Sequence, residues 1–286
     1  MGIDLLGDLR PDTKIWRYMT LDKYIHLLDS ETLYFSTLNE YSRSDPFEGM
    51  PPLRIIKKIR QLVPVDSRIK KDLAALKAMP KDADLRLSKD LSESLAESID
   101  EEHRNFTVFV TNMFKGHVVS CWHANEFESE AMWKLYGEGH KGVAIQSTVQ
   151  LLQEALLSTE TIKIAKVIYT DYEEPSDESL RHLVKSGLGP VMKRMSFAHE
   201  NEVRAYFLPS EFKVGRDSPS AKSYAVKVKG LNFLEKIVVS PYAIEPYASA
   251  VKAISEKYQL ECPVDNSVLL KGLDGLFNLG ENNGIY

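Results

Sequence analysis

Strands and helices follow one another irregularly along the chain, which predicts an α+β fold: a mixed, mostly antiparallel sheet with flanking helices and a helical insertion. Two observations carry this. Short apolar segments with strand-like alternation recur from residue 14 to residue 240 without the strict strand–helix–strand succession of a doubly wound sheet. A charge-rich stretch from Leu53 to Arg104, poor in aromatics, interrupts them with helical spacing, as in Leu91, Leu95 and Ile99. The expected organisation is one main domain over 1–286 that carries a helical insertion or lid at 53–104.

The elements can be justified in order. Lys14 to Met19 reads as a strand, and Thr20 can cap a helix through Leu28 whose apolar positions Leu21, Tyr24, Ile25 and Leu28 keep helical spacing. Leu33 to Ser36 reads as a second strand, followed by a polar loop from Asn39 to Gly49. Such a loop places polar side chains beside a sheet edge, a frequent position for a site. After the insertion, Phe109 to Thr111 and His117 to Trp122 read as strands joined by a Lys115-Gly116 turn. A helix over Glu126 to Tyr136 stops at Gly137. Gly142 to Gln146 is a short buried strand, and Ser147 caps a helix to Leu157. Strands are expected at Ile162–Tyr169, Glu202–Leu208, Lys222–Lys229 and Lys236–Ser240, and helices at Asp177–Ser186 and Ala243–Tyr258. Val268 to Leu270 reads as the last strand.

Composition removes several classes. With 43% hydrophobic and 27% charged residues in 286, the chain can bury a sizeable core and is not expected to be disordered. No apolar run approaches the ~20 residues that span a bilayer, and Met1 to Arg10 lacks the pattern of a signal peptide, so a cytoplasmic protein without membrane partners is expected. Two cysteines, Cys121 and Cys262, suit reduced thiols rather than a disulfide framework. A net charge of −5 gives no global attraction to nucleic acid, although Lys57, Lys58 and Arg60, and Arg68, Lys70 and Lys71, form local basic stretches. Glycine-rich phosphate loops, HExxH and the serine-hydrolase elbow are missing. Cys121 and His123 form a lone C-x-H without a second pair at zinc spacing, so no metal site is assigned.

Three constellations remain. Trp122, Glu130 and Trp133 fall within one segment, and Glu130, Trp133 and Lys134 at i, i+3 and i+4 share a helical face. Aromatic walls beside a carboxylate suit a stacked base or nicotinamide, and equally suit plain core. In a strand beginning at Glu202, the side chains of Glu202, Arg204 and Tyr206 point to one face, where the charges form an ion pair or grip a polar ligand. Two such charges argue against a strand buried on both faces. Arg17 at the end of the first strand can clamp a phosphate or carboxylate, with Tyr34, Ser36, Asp45 and Glu48 beside it in the early strands and loop.

Four segments together resemble a bacterial family catalogued as a domain of unknown function (DUF 2971). They are Tyr18 to Gly49, Val118 to Ser147, Lys193 to Phe207 and Ile237 to Ala243, which cover most of the chain outside the insertion. The resemblance implies an association with prokaryotic abortive infection and mobile defence, hence an antiphage or toxin-like role, and defines no reaction.

The functional expectation is an enzyme acting on NAD or nucleic acid with an ADP-ribosyltransferase-like layout. Arg17 is followed by Tyr34 or Ser36 and then by the catalytic Glu202, with Glu130 as a second acid. NAD would be substrate rather than bound cofactor, and a nucleotide or nucleic acid the partner. Two alternatives stand beside it: a non-catalytic ligand-binding or sensor module, and a metal-dependent nuclease built on Asp45, Glu48, Glu130 and Glu202.

Overall fold

A computed structural model describes residues 3–270 apart from 7, 81–84, 139, 187–188 and 214–222. In chain order, β1 (Asp4–Leu6), β2 (Lys14–Thr20), α1 (Leu21–Ser30) and β3 (Thr32–Thr37) precede a loop that contains a 3-10 turn, Leu38–Tyr41. Three helices follow: α2 (Leu53–Leu62), α3 (Ser67–Ala78) and α4 (Leu85–Lys115). Next come β4 (Val118–Ala124), α5 (Glu130–Tyr136), β5 (Gly142–Thr148), α6 (Val149–Ala155), β6 (Leu156–Leu157), β7 (Lys163–Lys166) and β8 (Ile168–Thr170). The chain continues through α7 (Asp177–Lys185), β9 (Met192–Arg194), a second 3-10 turn (Met195–Glu200), β10 (Glu202–Phe207), β11 (Tyr224–Val228), β12 (Lys236–Val239), α8 (Tyr247–Lys257) and β13 (Val264–Asn266).

The sheet is mixed and mostly antiparallel, so the fold is α+β. Its main path runs β1-β7-β10-β4-β2-β5-β12-β13, with parallel pairing only at the two ends of that path. β8 and β9 form a separate parallel pair. On one side β4 pairs with β10 along its whole length. On the other side two strands share its edge: β2 through Ile15↔Ala124 and Trp16↔His123, β3 through Ser36↔Val119 and Thr37↔Val118. The sheet therefore forks beside residues 120–122.

Alternation along the central strands sorts their side chains into two covers. Val118, Trp122 and Ala124 of β4 and Val203, Ala205 and Phe207 of β10 join one continuous apolar core under α1, α6 and α8. The opposite face carries two smaller clusters. One packs Val119 and Tyr206 against Val110 and Phe114 of α4, Ile55 of α2 and Leu183 of α7. The other packs Trp16 and Tyr18 of β2 against Met132 and Trp133 of α5. Between them the same face shows Cys121, His123, Glu202 and Arg204, a polar seam across the middle of the sheet.

Several expectations shift by element. Phe109 to Thr111 belongs to α4 and not to a strand. Phe106, Val110 and Phe114, spaced by four, turn one helical stripe onto the sheet, and that burial outweighs the strand preference of a short aromatic and β-branched run. The helix expected from Glu126 starts at Glu130, because Ser129 accepts the Met132 amide as its N-cap. The last strand among the described residues is Val264–Asn266, earlier than Val268 to Leu270, and pairs in parallel with β12. The closing helix begins only after Pro246, whose ring suits a helix start.

Trp133 is fully buried, stands edge-on to Tyr18 at 4.9 Å and donates from Nε1 to Glu128 at 2.9 Å. Trp133→Ala should cost about 3–5 kcal/mol in denaturant unfolding. Glu130→Ala, at an exposed position on the same short helix, should leave the unfolding midpoint nearly unchanged.

Candidate functional site

β10 sets the seam. Its six residues are all buried, so Glu202 and Arg204 lie under cover on a strand whose other face is apolar core. The expectation that paired charges mark a half-exposed strand is thus corrected, and the reason is compensation by charges from elsewhere in the chain. Arg204 Nη2 and Nε donate to Glu202 Oε2 at 2.6 and 3.1 Å, and Nη1 donates to the Pro190 carbonyl at 2.7 Å. Glu48 Oε1 lies 2.8 Å from Arg204 Nη1. Lys193 of β9 donates to Glu200, with Glu48 at 3.3 Å and Glu202 at 3.6 Å.

Local sequence explains the delivery of these groups. Glu202 and Arg204 share a face by strand alternation, and Glu200, at the end of the 3-10 turn, reaches the same seam after a left-handed step at Asn201, where Lys193 meets both glutamates. The loop after β3 folds back through Gly49, whose φ of +75° suits glycine. A Cβ there would lie 2.5 Å from Leu38 Cδ1, so the close approach that brings Glu48 inward has no room for a side chain. Asp45 fixes the same loop by accepting the Phe47 amide at 3.0 Å and Arg194 Nη2 at 2.6 Å.

Electrostatics follow from the count. Three carboxylates, Glu48, Glu200 and Glu202, face two cations, Lys193 and Arg204, while Asp45 and Arg194 pair separately. With all of these ionised the seam carries a net charge of −1. Burial opposes ionisation of Glu48, but Arg204 and Lys193 outweigh it and hold the carboxyl below the usual range. Burial likewise opposes the charge on Lys193 and Arg204, and the surrounding carboxylates raise both above their ordinary values. Burial and then Glu202 push the Cys121 thiol up, so it stays protonated and is a poor nucleophile. Burial also raises the phenols of Tyr41, Tyr136 and Tyr169 around the seam. Cys121, on the floor in a central strand, nevertheless retains solvent-accessible surface.

Three acceptors in the seam take no hydrogen bond among the described residues: Glu48 Oε1, which lies in ion-pair contact with Arg204, Glu202 Oε1 and His123 Nε2. Glu202 uses Oε2 for Arg204. His123, directly across the strand pair from Glu202, has a buried Nε2 without a partner. Native proteins rarely leave buried groups such as Glu48 Oε1 and His123 Nε2 unmet, because a buried unsatisfied group costs about 1–3 kcal/mol.

Of the residues singled out from sequence, Asp45, Glu48, Glu202 and Arg204 come together here. Ser36 lies nearby and hydrogen-bonds Tyr41. Arg17 does not join them. It occupies the opposite pleat of β2, where Nη1 donates to Ser120 Oγ at 2.9 Å, Nη2 donates to the Tyr34 carbonyl at 3.0 Å, and its guanidinium sits 5.8 Å from the Trp122 ring. It ties the two arms of the fork to β4, and among the described residues no carboxylate reaches ion-pair distance of it. Tyr34 contributes that carbonyl while its ring is 45% exposed. Trp122 and Trp133 are core on opposite faces. Glu130 lies on the surface, paired with Lys134 at 2.8 Å and Tyr242 at 3.0 Å, and away from Trp133, which points inward.

A metal-dependent nuclease on Asp45, Glu48, Glu130 and Glu202 does not fit this arrangement. Asp45, Glu48 and Glu202 are engaged by Arg194, Lys193 and Arg204, and Glu130 is elsewhere. Among the described residues no three His, Cys, Asp or Glu side chains are placed to hold a metal ion.

Sequence reading left Lys193, Glu200 and His123 out of the candidate site. The signal for the first two was the charge-rich run from Lys193 to Arg204, in which the opposite charges fall close in sequence.

Residues 132–205 match a family described as "Protein of unknown function (DUF2971)". That stretch contains Lys193, Glu200, Glu202 and Arg204 and ends short of neither β10 charge, whereas Glu48 lies outside it. No curated protein and no solved structure matches the chain. Among the described residues no helix is long and apolar enough to cross a membrane.

Stability should fall at both pH extremes. The folded pKa of Glu48 lies below the unfolded value of ~4.3, so its contribution is full above that pH and is lost as pH falls through the folded value. The folded pKa of Lys193 lies above the unfolded value of ~10.4, so its contribution is full below that pH and is lost as pH rises through the folded value. Urea unfolding across pH should show a plateau between these limbs, and Glu48→Gln should flatten the acid limb. Arg204→Met, which strands Glu48 and Glu202, should cost about 3–5 kcal/mol.

Proposed function

We propose that the chain is an enzyme acting on NAD or a related nucleotide, cleaving or transferring at the ribosyl–nicotinamide bond, with Glu202 as its catalytic carboxylate. One observation carries the reading. Arg204 grips Glu202 through Oε2 alone and leaves Oε1 without a hydrogen bond among the described residues, beside the partly buried Cys121 and within a seam of net negative charge.

This is the electrostatics that such a bond cleavage requires. Nicotinamide in NAD is cationic, and departure of the neutral ring leaves positive charge on the ribosyl carbon in an oxocarbenium-like transition state. A carboxylate already ionised and oriented stabilises that charge without reorganising at the moment of reaction. Arg204 and Lys193 keep Glu202 oriented, and the third carboxylate keeps the balance negative. The raised phenols stay protonated beside it: Tyr169 accepts the Glu202 amide at 2.9 Å and keeps its proton for a sugar oxygen, while Tyr136 gives its proton to Glu200 Oε1. Arg17 serves this reading as the strut of the fork and not as a ligand clamp.

The association with bacterial antiphage defence belongs to this proposal, since NAD depletion or ADP-ribose transfer in the cytoplasm is a toxin-like outcome. A second reading, a non-catalytic binding or sensor module, is favoured by the burial of Glu202 against Arg204.

Incubation with NAD, with and without nucleic acid and cell lysate, should release nicotinamide or transfer ADP-ribose. Glu202→Gln should reduce turnover by about 100-fold or more with the far-UV circular dichroism unchanged. Calorimetric binding of NAD without turnover in any of these mixtures would favour the module. Absence of both binding and turnover would contradict the nucleotide reading.

A further inference from the structure

His123 has one ring nitrogen fixed and one unused. Nδ1 lies 2.6 Å from the Glu200 carbonyl, which can only accept, so Nδ1 carries a proton. Nε2 is buried and unpartnered. On a neutral ring it is a bare lone pair, the arrangement in which a hydrogen bond at one nitrogen sets the other as base. β4 and β10 place it opposite Glu202, and directly opposed residues in an antiparallel pair have Cβ atoms roughly 5 Å apart.

We propose that His123 is the general base of this site, taking the proton from the hydroxyl or water that attacks the ribosyl carbon. The inference rests on the nucleotide reading above. The attacking oxygen forms a bond to the carbon and gives its proton to Nε2. The carbon–nitrogen bond breaks with its electron pair going to the nicotinamide ring, which leaves neutral. Glu202 stabilises the positive charge between these events, and the imidazolium releases its proton to solvent afterwards.

The surroundings suit the role. Glu200 and His199 face the ring from the 3-10 turn, Glu202 from β10, and Tyr18 from β2 with ring centroids 6.4 Å apart. Burial lowers the imidazole below its ordinary pKa, and the two glutamates only partly oppose that. The base is therefore neutral at ordinary pH. Tyr136 marks the way in: it is 43% exposed, yet its hydroxyl donates to Glu200 Oε1 at 3.2 Å, so the network ends one side chain below the surface.

The test uses the intact chain, NAD as probe, and two variants. His123→Asn keeps a donor near the Nδ1 position but has no base at Nε2; His123→Ala removes both. Both should lower kcat by about 100-fold or more. His123→Asn should retain NAD affinity measured by calorimetry. The acid limb of the wild-type kcat–pH profile should be lost in His123→Asn. In the wild type, nitrogen NMR should report an unprotonated Nε2 whose resonance shifts on adding ADP-ribose. Wild-type turnover with an unaltered rate and acid limb in His123→Asn, or an Nε2 resonance indifferent to a bound nucleotide, would overturn His123 as base and leave the nucleotide reading standing. Absence of NAD and ADP-ribose binding to the wild type would overturn both.

Discussion

A guanidinium buried beneath the middle of a β-sheet must find carboxylates, and Arg204 obtains them from its own strand and from the loop that follows β3. Glu202 and Glu48 meet it at 2.6 and 2.8 Å, and the Pro190 carbonyl takes the remaining direction. Leaving one member alone in this environment would cost several kcal/mol, so the groups stand or fall together. The ion network thus decides where the loop closes, how the segment before β9 lies, and which rotamer Glu202 holds. Gly49 and the Asp45–Arg194 pair are the local means by which the loop reaches that position.

The rest of the molecule reads as a frame for this seam. One face of the sheet is covered continuously by apolar residues. The other is covered in two patches, one under α4 and one under α5, and the charges occupy the gap between them. Hydrophobic burial supplies the stability on both sides, while the polar groups contribute position more than net energy, since desolvation offsets much of a buried ion pair's attraction. Arg17 holds the fork from the opposite pleat through Ser120 and the Tyr34 carbonyl. A cation with only neutral partners there joins β2 and β3 to β4 where their ladders part.

Much of the fold was legible because its elements follow local rules. The spacing of Leu21, Tyr24 and Leu28 and the alternation in β10 each state a period directly. Phe109 to Thr111 misled because three residues are too few to separate a strand from the inner stripe of a long helix. The site was legible in part for the same reason. Parity on one strand joins Glu202 to Arg204, whereas Glu48 arrives from 154 residues away by a loop whose path no periodicity encodes. Arg17 misled for a related reason: an early strand arginine suggests a clamp, but the register Trp16↔His123↔Glu202 puts residue 17 on the other pleat. His123 was hidden because its interest lies in a bond it does not make.

The proposed function requires the seam to receive the ribosyl part of a nucleotide against Glu202. A crystal structure of the protein with ADP-ribose, which lacks the cleavable nicotinamide bond, tests it most directly. A ribose hydroxyl should lie within hydrogen-bond distance of Glu202 Oε1, with the Arg204–Glu202 contact intact. Nucleotide bound elsewhere on the molecule, with Glu202 Oε1 untouched, would contradict it.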